Sequence, residues 1–181
     1  YLQDLQGEQM DLDNMLKELE EKGIRNDEAQ SDKALKYLNI TKATGEFLRV
    51  LVLATRSSKI LEVGTSNGYS TIWFASSIPS DGTVTTIEYS ERKAEEALSN
   101  FQRAGFANKI ELLQGDAQAM LKDLSDQYDL IFLDADRSMY MDMIQDISRL
   151  LKTGGLIVCD NAISHESELA EFTAYLKSQQ N

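Results

Sequence analysis

The sequence is short of the residues that build cross-links and imidazole-rich centres. It holds one cysteine, Cys159, and one histidine, His165, in 181 residues. A single cysteine cannot form an internal disulfide and fits a reducing compartment, so a cytoplasmic location is expected. A single histidine excludes a multi-histidine metal site. Proline occurs once, as Pro79 in the turn Ile78-Pro79-Ser80-Asp81-Gly82, and no Pro/Gly/Ser-rich linker divides the chain. No apolar run approaches the roughly 18 residues that span a bilayer, and the first residues lack a basic segment leading into an apolar one. Basic charge is also in deficit, with 18 Lys and Arg against 30 Asp and Glu and a formal net charge of −12. Such a surface repels phosphate backbones and anionic lipid, and no basic cluster offsets it. Nucleic acid and membrane are therefore not expected partners.

What remains is ordinary globular composition, 42% hydrophobic and 27% charged, long enough for one well-buried core. The reading is a single domain over 1–181 with a peripheral N-terminal helical segment at about 1–36. Leu2, Leu5, Met10, Leu12, Met15 and Leu19 recur at helical spacing between Leu2 and Lys22, and a second helix is expected from about Thr44 to Thr55. The pattern then alternates. Lys59 to Val63, Thr83 to Glu88, Ile110 to Leu113, Leu130 to Leu133 and Gly155 to Cys159 read as buried strands. Between them lie helical stretches, the clearest from Glu91 to Ala104 with Gly105 as its stop. Strands alternating with helices imply parallel crossovers, hence an α/β fold with a doubly wound, mostly parallel sheet and helices on both faces. Such a sheet carries its chemistry at the carboxyl ends of its strands.

The first strand runs through Glu62-Val63 into Gly64-Thr65-Ser66-Asn67-Gly68-Tyr69-Ser70 and then a helix. Gly64 and Gly68 permit a tight turn and close approach of a ligand. A dinucleotide fingerprint needs glycines at its first, third and sixth positions, and Ser66 and Tyr69 occupy the last two. Glu62-x-Gly64-x-Ser66-x-Gly68 instead resembles the S-adenosylmethionine (SAM) loop of class I methyltransferases, with serine at the usual middle glycine. The second strand ends in Glu88, an acid suited to accept hydrogen bonds from both ribose hydroxyls of a nucleoside. The third ends in Gln114-Gly115-Asp116-Ala117-Gln118, a candidate adenine slot. The plain alternative for each piece is a turn or a helix cap.

The fourth strand runs into Asp134-Ala135-Asp136-Arg137 and the fifth into Asp160-Asn161. Asp134, Asp160 and Asn161 offer two carboxylates and an amide oxygen, a hard donor set that suits Mg²⁺ or Ca²⁺ and not structural zinc. Three protein ligands leave positions open for an ortho-dihydroxy acceptor, whose hydroxyl a cation would acidify. Helix capping is the alternative use of these acids. His165 reads as a loop or cap residue, Trp73 and Phe74 as core, and Cys159 as a strand residue rather than a nucleophile.

Together these segments resemble the cation-dependent O-methyltransferase family, which includes catechol and caffeoyl-CoA O-methyltransferases, and its bacterial branch most. The resemblance runs from about Tyr37 to His165 and includes Asn39-Ile40-Thr41-Lys42-Ala43-Thr44-Gly45-Glu46-Phe47-Leu48. It implies that Ile40, Glu62, Gly64, Thr65, Ser70, Glu88, Ala117 and Asp134 face SAM. It also implies that Asp134, Asp160 and Asn161 hold the cation, that a small catechol-like molecule is the acceptor, and that the protein is a homodimer. The chain departs from the family twice. Arg137 stands where the family places a lysine that helps deprotonate the acceptor, and arginine is no base near neutral pH. Asp134 and Arg137 are the candidate catalytic residues: either the metal alone generates the oxyanion, or Arg137 stabilises it electrostatically, or the site has lost activity, and a surface arginine is the plain alternative. Family members also continue past the last helix with two more strands, whereas this chain ends at Gln179-Gln180-Asn181, so those C-terminal strands are expected to be missing. Two other readings stay open: a SAM-dependent N-methyltransferase, and a non-catalytic SAM-binding module.

Overall fold

A computed structural model of the chain describes residues 2–160 and 165–178. It begins with a long helix, α1 (Leu2–Ala29), followed by a 3₁₀ turn at Lys33–Leu35 and α2 (Lys42–Thr55). Then come β1 (Lys59–Val63), α3 (Tyr69–Ala75), β2 (Thr83–Glu88), α4 (Glu91–Arg103), β3 (Ile110–Gln114), α5 (Ala117–Asp123) and β4 (Tyr128–Leu133). A second 3₁₀ turn (Arg137–Met139), α6 (Tyr140–Leu150), β5 (Leu151–Cys159) and α7 (Ala170–Ser178) complete the described order. Helix starts follow side-chain capping. Thr41, Ser90 and Asp116 each accept a hydrogen bond from a backbone N–H three residues on, opening α2, α4 and α5.

The five strands are parallel in the order β3-β2-β1-β4-β5, as the alternating pattern predicts. The chain winds outward through β2 and β3, then returns to place β4 against the other side of β1. The switch point therefore lies between β1 and β4, and the carboxyl ends of these strands are where such a sheet places a ligand crevice. Side-chain alternation splits the core. Ile60, Val84, Leu130 and Phe132 pack under α1 to α4, whereas Leu61, Val63, Ile131 and Leu133 pack under α5 to α7.

Three expectations need correction. α1 extends past Lys22 to Ala29, and its apolar stripe packs on the domain, with Leu19 fully buried and Met15 and Leu16 beside it in the core. Its Gly23 does not stop the helix; it lets Asn39 lie close, since a Cβ there would sit 2.5 Å from Asn39 Nδ2. β3 is an edge strand, with Glu111 and Gln114 exposed, so it is not a buried strand. β5 starts at Leu151, ahead of Gly154-Gly155, and it too lies at an edge. Its pairing with Tyr128 at one end and Leu130–Leu133 at the other absorbs an irregularity that the two glycines accommodate. Among the described residues no helix is long and apolar enough to cross a membrane.

Candidate active site

Strand register assembles the site. Val63 pairs with Ile87 and Leu133, and Leu133 pairs with Cys159, so the residues after them emerge side by side at one edge of the sheet. Gly64 has φ +105°, and a Cβ on it would sit 2.2 Å from the carbonyl oxygen of Asp134. Only glycine lets the two strand ends close in this way. Gly68 caps α3 at φ +87° and leaves room for Phe101, whose ring a Cβ would strike at 2.5 Å. From the α4 side, Asn100 Nδ2 donates to the carbonyl of Asn67 at 2.9 Å and supports the turn between these glycines.

Glu62 is wholly buried beneath this loop. Ser70 Oγ donates to its Oε1 at 2.5 Å, and Thr71 Oγ1 and Thr86 Oγ1 donate to its Oε2 at 2.5 and 2.6 Å. Burial raises the acid to about 7 despite these three donors, with the nearby Glu88 adding to the rise. Glu62 has no exposed surface, and Ser70, itself buried, lies against its Oε1. Thr65 is likewise turned inward, 1% exposed, its Oγ1 2.6 Å from that of Thr86. The hydroxyls of Thr71 and Thr86 were not anticipated. The pairing of Glu62 with Thr86 across β1 and β2 is the signal that could have found Thr86.

Glu88 ends β2 with both oxygens oriented. Oε2 accepts from Ser66 N–H at 2.7 Å and Oε1 from Ser90 N–H at 2.8 Å, leaving each oxygen a further acceptor site. Gly115 N–H donates to the Glu88 carbonyl at 2.9 Å, which brings the β3 end and Ala117, the first residue of α5, alongside. Ile40 is buried in the core, and with Glu20, Asp27 and Asn39 it also lines a cavity of about 130 Å³.

At the other end of the crevice, Asp134 and Asp160 leave adjacent strands. Asp134 N–H donates to Val63 O at 2.9 Å and Asp160 N–H to Leu133 O at 3.1 Å. Burial, then the charges of Asp160 and Glu62, raise Asp134 to about 8, with Arg137 opposing. Tyr140, 1% exposed, fixes the connecting turn: its hydroxyl accepts from Ala135 N–H at 3.1 Å and lies 3.3 Å from Ala135 O. Arg137 Nε donates to Glu168 at 2.9 Å, so its guanidinium spans from the Asp134 turn to the segment before α7. Asn161 lies outside the described residues, and among those described no three acidic, histidine or cysteine side chains form a metal cluster. His165 belongs to the turn leading to α7, its carbonyl accepting from Glu168 and Leu169 N–H. The Cys159 thiol is pushed by burial to about 12, which keeps it protonated.

Comparison with known proteins agrees with this geometry. The catechol O-methyltransferase of Mycobacterium tuberculosis is 40% identical over 145 residues, covering 79% of this chain and 66% of that protein. Caffeoyl-CoA O-methyltransferase 1 of Zea mays is 33% identical over 125 residues, covering 66% of this chain and 48% of that one. The chain therefore spans less than two thirds of the length of these relatives. The O-methyltransferase of Bacillus cereus, solved in complex with SAH, superposes with a TM-score of 0.78 at 26% identity over 92% of this chain and 80% of that one. The profile of the O-methyltransferase family matches residues 7–179, and the chain belongs to that family.

Proposed function

We propose that the protein transfers the methyl group of SAM to a hydroxyl of a small ortho-dihydroxy aromatic acceptor, with help from a divalent cation. What supports the reading is that Glu88, the Gly64–Gly68 turn, Asp134 and Asp160 all lie at the carboxyl ends of neighbouring strands around the switch point. The residues fit the cofactor. Gly64 and Gly68 keep the loop free of side chains, and Glu88 presents an oriented carboxylate at the distance of one strand from the loop, as a ribose diol requires. Ser70 and Ala117 would line the same space, with Ile40 closing it from the segment before α2. They also fit a hard cation, because Asp134 and Asp160 bring two carboxylates together in a partly buried place. Asn161 would be the third donor.

A bound divalent cation would lower the pKa of the acceptor hydroxyl and fix its oxygen for in-line attack on the methyl group. Asp134, which follows β4 beside Gly64, would hold the cation and face the sulfonium end of the cofactor. The Arg137 guanidinium lies within electrostatic reach of Asp134, so it would stabilise negative charge on the acceptor oxygen without acting as its base. The names of the relatives support a catechol or caffeoyl type of acceptor. A homodimer in the cytoplasm completes the reading, and light scattering checks the oligomeric part.

The test is methyl transfer from SAM to a panel of catechol and caffeoyl compounds, with Mg²⁺ and with EDTA. Product that EDTA abolishes supports the reading. Equal turnover in EDTA removes the cation from it, and SAM binding without transfer to any diol favours the non-catalytic binding module.

A further inference from the structure

Ser66 is an anomaly that the fold explains. It stands in the left-handed region at φ +52°, where a residue with a Cβ is strained and where glycine would be free. Its side chain gives the reason: Oγ donates to the carbonyl of Tyr37 at 2.7 Å, while its own N–H holds Glu88. Tyr37 belongs to the strap between α1 and α2, and it is tied down on every side. Its N–H is shared by Asp27 Oδ1 at 2.8 Å and Asn26 Oδ1 at 3.1 Å, both on α1. Its hydroxyl donates to Glu96 on α4, which also pairs with Lys22 of α1 at 2.6 Å. Lys22 and Arg92 lie 5.9 and 5.6 Å from its ring centroid, at cation–π range. The next residue, Leu38, is itself left-handed at φ +53°, held there by its N–H bond to Asp27 Oδ2 at 3.0 Å. Two residues later the strap delivers Ile40.

We propose that Ser66 and Tyr37 form a latch that sets Glu88 and Ile40 around the nucleoside end of the cofactor site, both acting as positioning residues. This rests on the cofactor reading above. Two left-handed non-glycine residues, one on each side of the same hydrogen bond, are strain that this contact offsets. The latch ties α1 and α4 to the turn whose Ser66 N–H holds Glu88.

The test is a double-mutant cycle read as affinity for S-adenosylhomocysteine by calorimetry. Ser66→Gly suits the positive φ and keeps the N–H bond to Glu88, and Tyr37→Phe keeps the ring and removes only the hydroxyl with its interactions with Glu96 and Arg92, so both variants should fold. Each is expected to weaken binding about fivefold, the scale of one hydrogen bond, and the double variant by far less than the product of the two. Amide exchange in the ligand-free protein gives a second readout: Ser66→Gly should speed exchange at 36–41, although no residue there is changed. Multiplicative effects on affinity, or unchanged affinity with a lower Tm, overturn the latch. Equal affinity in wild type and Glu88→Ala would defeat the cofactor reading instead, and the exchange at 36–41 would still decide whether Ser66 holds the strap.

Discussion

Glu62→Gln is the substitution whose consequence can be worked furthest from the structure. The carboxyl is raised from 4.5 to about 7, so between those values the folded protein binds a proton that the unfolded chain releases. Stability must then fall as pH rises through that window and level off above it. A shift of about 2.5 units corresponds to about 3 kcal/mol, because each unit is worth about 1.4 kcal/mol. Burial prevails here over three hydroxyl donors, since the donors are neutral and the side chain has no contact with solvent. Glutamine keeps the shape and cannot ionise, and one of the hydroxyls can rotate to accept from its amide. Denaturant unfolding of both proteins from pH 4.5 to 8 is the assay. The variant is expected to gain about 3 kcal/mol on the wild type across the range, slightly more where Asp134 is also relieved of the Glu62 charge. Parallel stability curves would refute the reasoning, for they would mean that the hydroxyl cradle fully replaces water around the ionised acid.

Three further outcomes follow from other parts of the molecule. Gly64→Ala places a Cβ 2.2 Å from a backbone oxygen at a φ of +105°, and should cost about 3 kcal/mol or more and most cofactor affinity, seen as a fall in Tm of roughly 6–12 °C and by calorimetry. Asp129, at the amino edge of the sheet, is opposed by burial, yet Lys152 and the N–H groups of Lys59 and Ser58 hold it at about 2. Its depressed value stabilises the fold above the ordinary 3.8 and is lost as pH falls toward 2, so Asp129→Ala should cost about 2 kcal/mol at pH 7 in urea unfolding, with the gap closing in acid. Asp160→Asn removes one of the two adjacent carboxylates and should raise the Mg²⁺ needed for half-maximal methyl transfer by roughly tenfold or more; an unchanged Mg²⁺ curve would take Asp160 out of the cation site.

Much of the site was legible because its parts are local. A strand, a glycine-bearing turn and an acid at the next strand end are written in consecutive residues, and so are the acids after β4 and β5. The five strands showed themselves through short β-branched and apolar runs. Their starts were less legible: Gly154 and Gly155 read as a boundary, whereas pairing with β4 carries β5 through them. The apolar stripe of the N-terminal helix was legible at its helical spacing, and packing shows that its Leu19 reaches the core.

By itself the sequence determined the alternation of elements, and hence a parallel sheet with its polar residues gathered at the carboxyl ends of the strands. Tertiary structure alone decided the surroundings of each of those residues. Glu62 and Glu88 are both buried acids near strand ends, yet register places Glu62 beneath the loop among three hydroxyls and Glu88 between two backbone N–H groups. The tie from Ser66 to Tyr37, across 29 positions, was equally invisible, because a hydrogen bond to a backbone carbonyl leaves no mark on the identity of the residue that accepts it.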